Sequence, residues 1–141
     1  MRYHWVAYAR RIAALGALLM LLPAVGFGRE AEYEVAVETD VMVPMRDGVR
    51  LATDIYRPAK DGAPIGGKLP AIMARLPYNK DGQKSIGAYY AARGYVFVAQ
   101  DTRGRYKSEG VWHMLSDDGP DGCDTAAWLI KQPWSDGKFG M

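Results

Sequence analysis

The sequence predicts an α/β fold: a mostly parallel sheet preceded by an antiparallel hairpin. Two patterns carry that prediction. Between Val35 and Ile55, apolar and polar residues alternate on both sides of an Asp47-Gly48 turn signal, the period of two strands joined as a hairpin. Farther along, the apolar runs LPAIMARL and GYVFVAQD flank SIGAYYAARG. Strand, helix and strand in that order form a crossover unit, and strands with so little alternation suit a sheet covered on both faces.

The elements follow in chain order. Arg2, Arg10 and Arg11 precede the apolar run Ile12 to Val25 and the small residues Ala24, Gly26 and Gly28. That is the layout of a secretory signal peptide over residues 1–28, cleaved near Gly26 to Gly28. The run of 14 residues falls short of the roughly 20 that a membrane-spanning helix needs, so contact with a membrane is expected only through the export signal. Removing residues 1–28 deletes three of the 18 basic residues and none of the 16 acidic ones, moving the formal charge from +2 to −1. A near-neutral chain without a Lys/Arg stripe excludes nucleic acid as a partner. The remaining 29–141 is enough for one small domain.

In that domain Val35, Val37, Thr39, Val41 and Val43 alternate with Glu34, Ala36, Glu38, Asp40 and Met42, the mark of a strand with one wet face. Val49, Leu51, Thr53 and Ile55 continue the period after the turn. Lys60 to Lys68 is rich in Gly and Pro and reads as a loop. In SIGAYYAARG the spacing of Ile86, Tyr89, Tyr90 and Ala91 predicts a helix, with Gly94 as its left-handed stop. A polar loop to Gly119 leads to a second helix, opened by Asp121 or Asp124 and closed before Pro133, with Ala126, Ala127, Trp128, Leu129 and Ile130 as its apolar face. Cys123 is the only cysteine, which excludes an internal disulfide and reads as a small buried apolar residue.

Ligands of open α/β sheets bind at the carboxyl ends of the strands. Pro77-Tyr78-Asn79-Lys80 follows LPAIMARL at such an end. Tyr78 is there either for packing or as an uncharged hydrogen-bond donor; nothing assigns Asn79 or Lys80. In the next loop Asp101, Arg103, Arg105 and Glu109 are expected to satisfy one another and fix the loop. Ser108 lies in KSEG with nothing beside it to activate it. Asp117, Asp118, Asp121 and Asp124 do not follow the ligand spacing of an EF-hand, and helix capping accounts for them. No metal and no cofactor is expected.

VMVPMRDGVRLATDIYRP, LPAIMARLPYNK, ARGYVFVAQDTRGRYKSEG and DDGPDGCDTAAWLIKQPWSDGKFGM, in that order, resemble the opening half of the catalytic α/β-hydrolase domain in the cocaine esterase and X-Pro dipeptidyl-peptidase family. The resemblance runs from about Val41 to Met141. It implies a serine hydrolase acting through an acyl-enzyme on a small ester, amide or short peptide, with Tyr78 as an oxyanion-hole donor partnered by a backbone N–H just after the nucleophile.

In α/β-hydrolases the triad runs Ser, then acid, then His, so His113 is too early to be the base. The resemblance implies that the chain stops before the nucleophile elbow, with nucleophile, acid and base beyond Met141, and that alone it is inactive. It also implies that LPAIMARL lies between GYVFVAQD and the nucleophile strand, which would leave it as an edge strand prone to aggregation. A reading from another class is a complete exported binding module, with Tyr78, Trp112 and Trp134 forming a ligand surface, or a decayed gene product.

Overall fold

A computed structural model describes residues 29–114 and 116–141; the expected signal peptide lies outside them. Strands β1 (Glu34–Pro44) and β2 (Arg50–Lys60) form the hairpin. The short β3 (Ala63–Pro64), in the expected loop, pairs with β2. Then come β4 (Leu69–Leu76), helix α1 (Lys84–Ala91), β5 (Val96–Asp101), helix α2 (Asp118–Leu129) and β6 (Ser135–Gly140). The main path of the sheet is β1-β2-β5-β4-β6. β1 and β5 flank β2 antiparallel, whereas β5, β4 and β6 run parallel.

The hairpin carries the first correction to the sequence reading. Glu38 pairs with Ile55, but the next partner, Thr53, faces Val41. Thr39 and Asp40 thus stand opposite the single residue Asp54, and Asp40 takes a positive φ of 56°. A bulge of this kind inserts one residue and reverses which side chains point to which face. Val35 therefore packs with Tyr56 and Phe97 under α1, while Val41 packs with Ile55 and Trp134 under α2. The alternation that looks like one wet face serves both faces of the sheet.

β5 sits at the centre, all six residues buried. Its Val96 and Val98, with Met73, Leu129 and Trp134, build the core on the α2 side; Phe97 and Ala99, with Tyr56 and Ala91, build the other. The edge-strand expectation for LPAIMARL is corrected for the first half of that strand. β6 covers the first half of β4, with Leu69 opposite Ser135 and Ile72 opposite Gly140, so β6 is the edge of the described sheet.

Both helices differ in detail from their sequence reading. α1 presents Gly87 and Ala91 to the sheet, leaving Ile86 and Tyr89 exposed. The reason is the Tyr56 ring, which occupies the space where a larger side chain would go. α2 begins at Asp118, and its N-cap Asp117 makes no side-chain capping bond. Cys123 is exposed, not buried.

A Cβ at Gly87 would lie 2.6 Å from the Tyr56 ring. Ala gains roughly 0.5–1 kcal/mol over Gly in a helix, but overpacking a core typically costs about 1–3 kcal/mol. Gly87→Ala is therefore expected to lower the melting temperature; an unchanged or higher value would show that the ring yields freely.

Candidate active site

Because β4 and β5 are parallel, their carboxyl ends open onto the same edge of the sheet, as the binding crevice of this architecture requires. Pro77, Tyr78, Arg105, Trp112, Met114 and Asp118 line a cleft there of about 190 Å³. Tyr78 is 81% exposed, so its hydroxyl is free to meet a bound molecule. The Arg105 guanidinium lies 4.8 Å from the Trp112 ring centre and donates from Nε to the Pro77 carbonyl, 3.1 Å. It forms no ion pair among the described residues, unlike its neighbours in the loop, and thereby joins the two walls of the cleft.

The other charges of the 101–110 loop do fix it, but not by satisfying one another as the sequence reading expects: their partners lie elsewhere in the molecule. Arg103 bridges Asp47 in the hairpin turn and Asp121 in the first turn of α2, at 2.7 and 2.6 Å. Glu109 accepts from Arg50. Asp101 is buried and accepts from the Lys80 backbone N–H, 2.7 Å. Ser108 is occupied with backbone: its Oγ donates to the Asp101 carbonyl and accepts from Ala52 N–H. His113 is exposed, 3.3 Å from Asp117.

Beneath the cleft lie two buried polar clusters that the sequence reading missed. In the first, Lys80, only 1% exposed, sets its ammonium between Asp40 Oδ1 at 2.7 Å and Asp54 Oδ1 at 2.8 Å. Burial opposes the charge, but hydrogen bonds to both carboxylates outweigh it and raise the lysine pKa. Lys107 binds the second oxygen of Asp40. In the other, Gln100 donates to Thr53 Oγ1 and accepts from Arg75 and Thr125. Arg75 also reaches the Asp118 carbonyl, joining β4 to the start of α2.

A signal for the first cluster exists in the sequence. Asp54 stands within the buried stretch of β2, and a carboxylate so placed needs a buried partner.

The acidic run near α2 is also explained by pairing, not by capping. Asp121 is taken by Arg103 and Asp124 by Arg46 at 2.7 Å. No group of three or more potential metal-ligating side chains is found among the described residues. Of the proposed aromatic surface, Tyr78 and Trp112 do share the cleft, but Trp134 is buried in the core, so the three do not form one surface.

Comparison with known proteins agrees with this arrangement. The family model of the X-Pro dipeptidyl-peptidase (S15 family) matches residues 47–141. The chain is 42% identical over 118 residues to the cocaine esterase of Rhodococcus sp. (strain MB1 Bresler), covering 79% of this chain and 19% of that protein. An α-amino acid ester hydrolase superposes with a TM-score of 0.64 at 29% identity, over 86% of this chain and 24% of that one. A CocE/NonD family hydrolase from Staphylococcus aureus gives the same TM-score at 28% identity, over 74% and 22%. The fold is that of the N-terminal part of an α/β-hydrolase, and the chain spans about a fifth of the length of the curated relatives it matches.

The ion pairs give the stability a direction with pH. Asp124 is brought from 3.8 to about 2 by its hydrogen bond from Arg46. Asp47, Glu109 and Asp40 are also lowered, by Arg103, by Arg50, and by Lys107 with Lys80. A depressed carboxylate stabilises the fold fully above its unfolded pKa and loses that contribution as pH falls through the folded value. Asp101 opposes the trend, because burial raises its pKa, but it is one group against four. Thermal melts between pH of about 5 and 2 should show the melting temperature falling below about 4, with a shallower fall in Asp124→Asn. A flat profile would show that these pairs contribute nothing.

Proposed function

The chain belongs to the X-Pro dipeptidyl-peptidase (S15) family, and from that premise we propose that it is the opening part of an exported serine hydrolase that cleaves small esters, amides or short peptides. One observation carries the reading: the direction of β6. It runs parallel to β4 with Gly140 opposite Ile72, and among the described residues Met73 to Leu76 have no partner on that side. A chain continuing in that register advances about 3.3 Å per residue. Within about five residues it draws level with the end of β4 and hence with Tyr78. A nucleophile on a sharp turn after that strand would then face the exposed tyrosine hydroxyl.

The chemistry follows from that placement. A serine oxygen, giving its proton to the histidine of the triad, attacks the substrate carbonyl carbon, and the carbonyl oxygen takes up the negative charge. Tyr78 donates its O–H to that oxygen while staying neutral. Collapse of the intermediate expels the alcohol or amine, which takes the proton back from the histidine; water, deprotonated by the same histidine, then releases the acid from the acyl-enzyme and restores the serine. The alcohol of an ester fits the cocaine esterase likeness, and the amine of a peptide fits the dipeptidyl-peptidase one; the cleft of Tyr78, Arg105 and Trp112 forms one wall for either.

The four serines of the sequence are Ser85, Ser108, Ser116 and Ser135, and none stands in a Gly-x-Ser-x-Gly turn. The nucleophile of this proposal is therefore none of them. The 141-residue polypeptide should stay unlabelled by a fluorophosphonate probe; strong labelling would place the nucleophile within it.

Removing one oxyanion donor typically lowers turnover about a hundredfold or more. Tyr78→Phe in the full-length enzyme is expected to reduce kcat on that scale, measured with an activated ester. An unchanged kcat would remove Tyr78 from the reaction. Export rests on residues 1–28, whose loss in the secreted protein should be visible by mass spectrometry as a mature N-terminus near Arg29; an intact Met1 would refute cleavage.

A further inference from the structure

We infer that Lys80 is a positioning residue for the oxyanion donor: its buried ammonium, clamped by Asp40 and Asp54, fixes the backbone that carries Tyr78. The inference rests on the reading of Tyr78 given above. At 81% exposure, Tyr78 gains little from packing, so the direction of its hydroxyl depends on the backbone on either side.

That backbone is pinned twice. Before Tyr78, the Pro77 carbonyl accepts from Arg105 Nε at 3.1 Å. After it, Asn79 adopts φ 79° and ψ 115°, its side chain accepting from Asp81 N–H, and the chain then dives inward at Lys80. There the backbone N–H donates to Asp101 Oδ1 at 2.7 Å, while Nζ reaches Asp40 Oδ1 at 2.7 Å and Asp54 Oδ1 at 2.8 Å. Asp40 is in turn held by its own N–H on Asp54 Oδ1, 3.0 Å. One side chain thus ties the loop bearing Tyr78 to β1 and β2, and its backbone ties it to the end of β5.

Stability alone is a poor reason for this arrangement. Replacing a buried ion cluster by apolar groups of similar volume is often neutral or stabilising, so the clamp is better understood as fixing geometry. The bulge supports that view, because bulges re-aim side chains beside functional sites. Here the extra residue brings Asp40 opposite Asp54, where both carboxylates meet the ammonium. A donor displaced by about 1 Å can lose about a hundredfold in rate.

The test is a double-mutant cycle in the full-length enzyme, read as kcat and KM on an activated ester. Lys80→Met is expected to lower kcat tenfold or more with KM nearly unchanged, and to cause no further loss in the Tyr78→Phe background. Equal losses in both backgrounds would make Lys80 purely structural and overturn the inference. If Tyr78→Phe alone leaves kcat unchanged, the oxyanion reading fails first and takes this one with it. Should Lys80→Met not fold, Asp40→Asn removes one acceptor from a side chain that is 38% exposed while leaving the ammonium on Asp54. The same cycle then applies, with a threefold or larger drop expected that vanishes beside Tyr78→Phe; a drop of equal size in both backgrounds overturns the inference.

Discussion

The carboxyl end of β5 sets the terms for everything around it. Gln100 and Asp101 are completely buried there, with Thr102 nearly so, and a polar group shut away from water must be partnered within the molecule. Gln100 meets this demand on the α2 side through Thr53, Thr125 and Arg75. Asp101 meets it on the opposite side through the backbone N–H of Lys80. Hydrogen bonds to two adjacent residues therefore anchor α2 on one face of the sheet and the tyrosine loop on the other. The rim of the cleft is organised from beneath.

This explains why the loops are well fixed despite their exposure. Arg103 joins three stretches distant in sequence, the hairpin turn, its own loop and α2, and Arg105 joins two walls through one carbonyl and one indole ring. Isolated surface ion pairs contribute little to stability. What a forked guanidinium adds is direction, since its donors lie in a fixed plane. The charges here act more as spacers that hold loops at set separations than as a source of folding energy.

How much of this was legible in the sequence follows from what each pattern records. Apolar periodicity gave the hairpin, the crossover and the mixed sheet, because burial is what it measures. It could not reveal the bulge: Val35 to Val43 alternate without a break, and only the pairing shows that Glu38 and Val41 are separated by one residue more than their partners Ile55 and Thr53. For α1 it picked out Ala91 and Tyr90, which do meet the sheet, but missed Gly87, which carries no hydrophobic signal, and counted Ile86 and Tyr89, which are exposed. The place of Tyr78 at a strand end was readable from LPAIMARL and Pro77. The Lys80 cluster was legible only as a demand: Asp54 within a buried strand calls for a partner, but Asp40, Asp54 and Lys80 lie on separate segments and come together only through the sheet.

The doubled residue opposite Asp54 also bears on how relatives of this chain can diverge. Exchanging one aliphatic side chain for another in β1 alters volume and leaves orientation alone. Deleting a single codon between Glu38 and Val41 would rotate Val41 and Val43 to the wrong side and carry off the aspartate geometry at the same time. Substitution is thus open to this stretch while gaps are closed to it, and the hairpin that lies farthest in sequence from the chemistry becomes the segment least free to change its length.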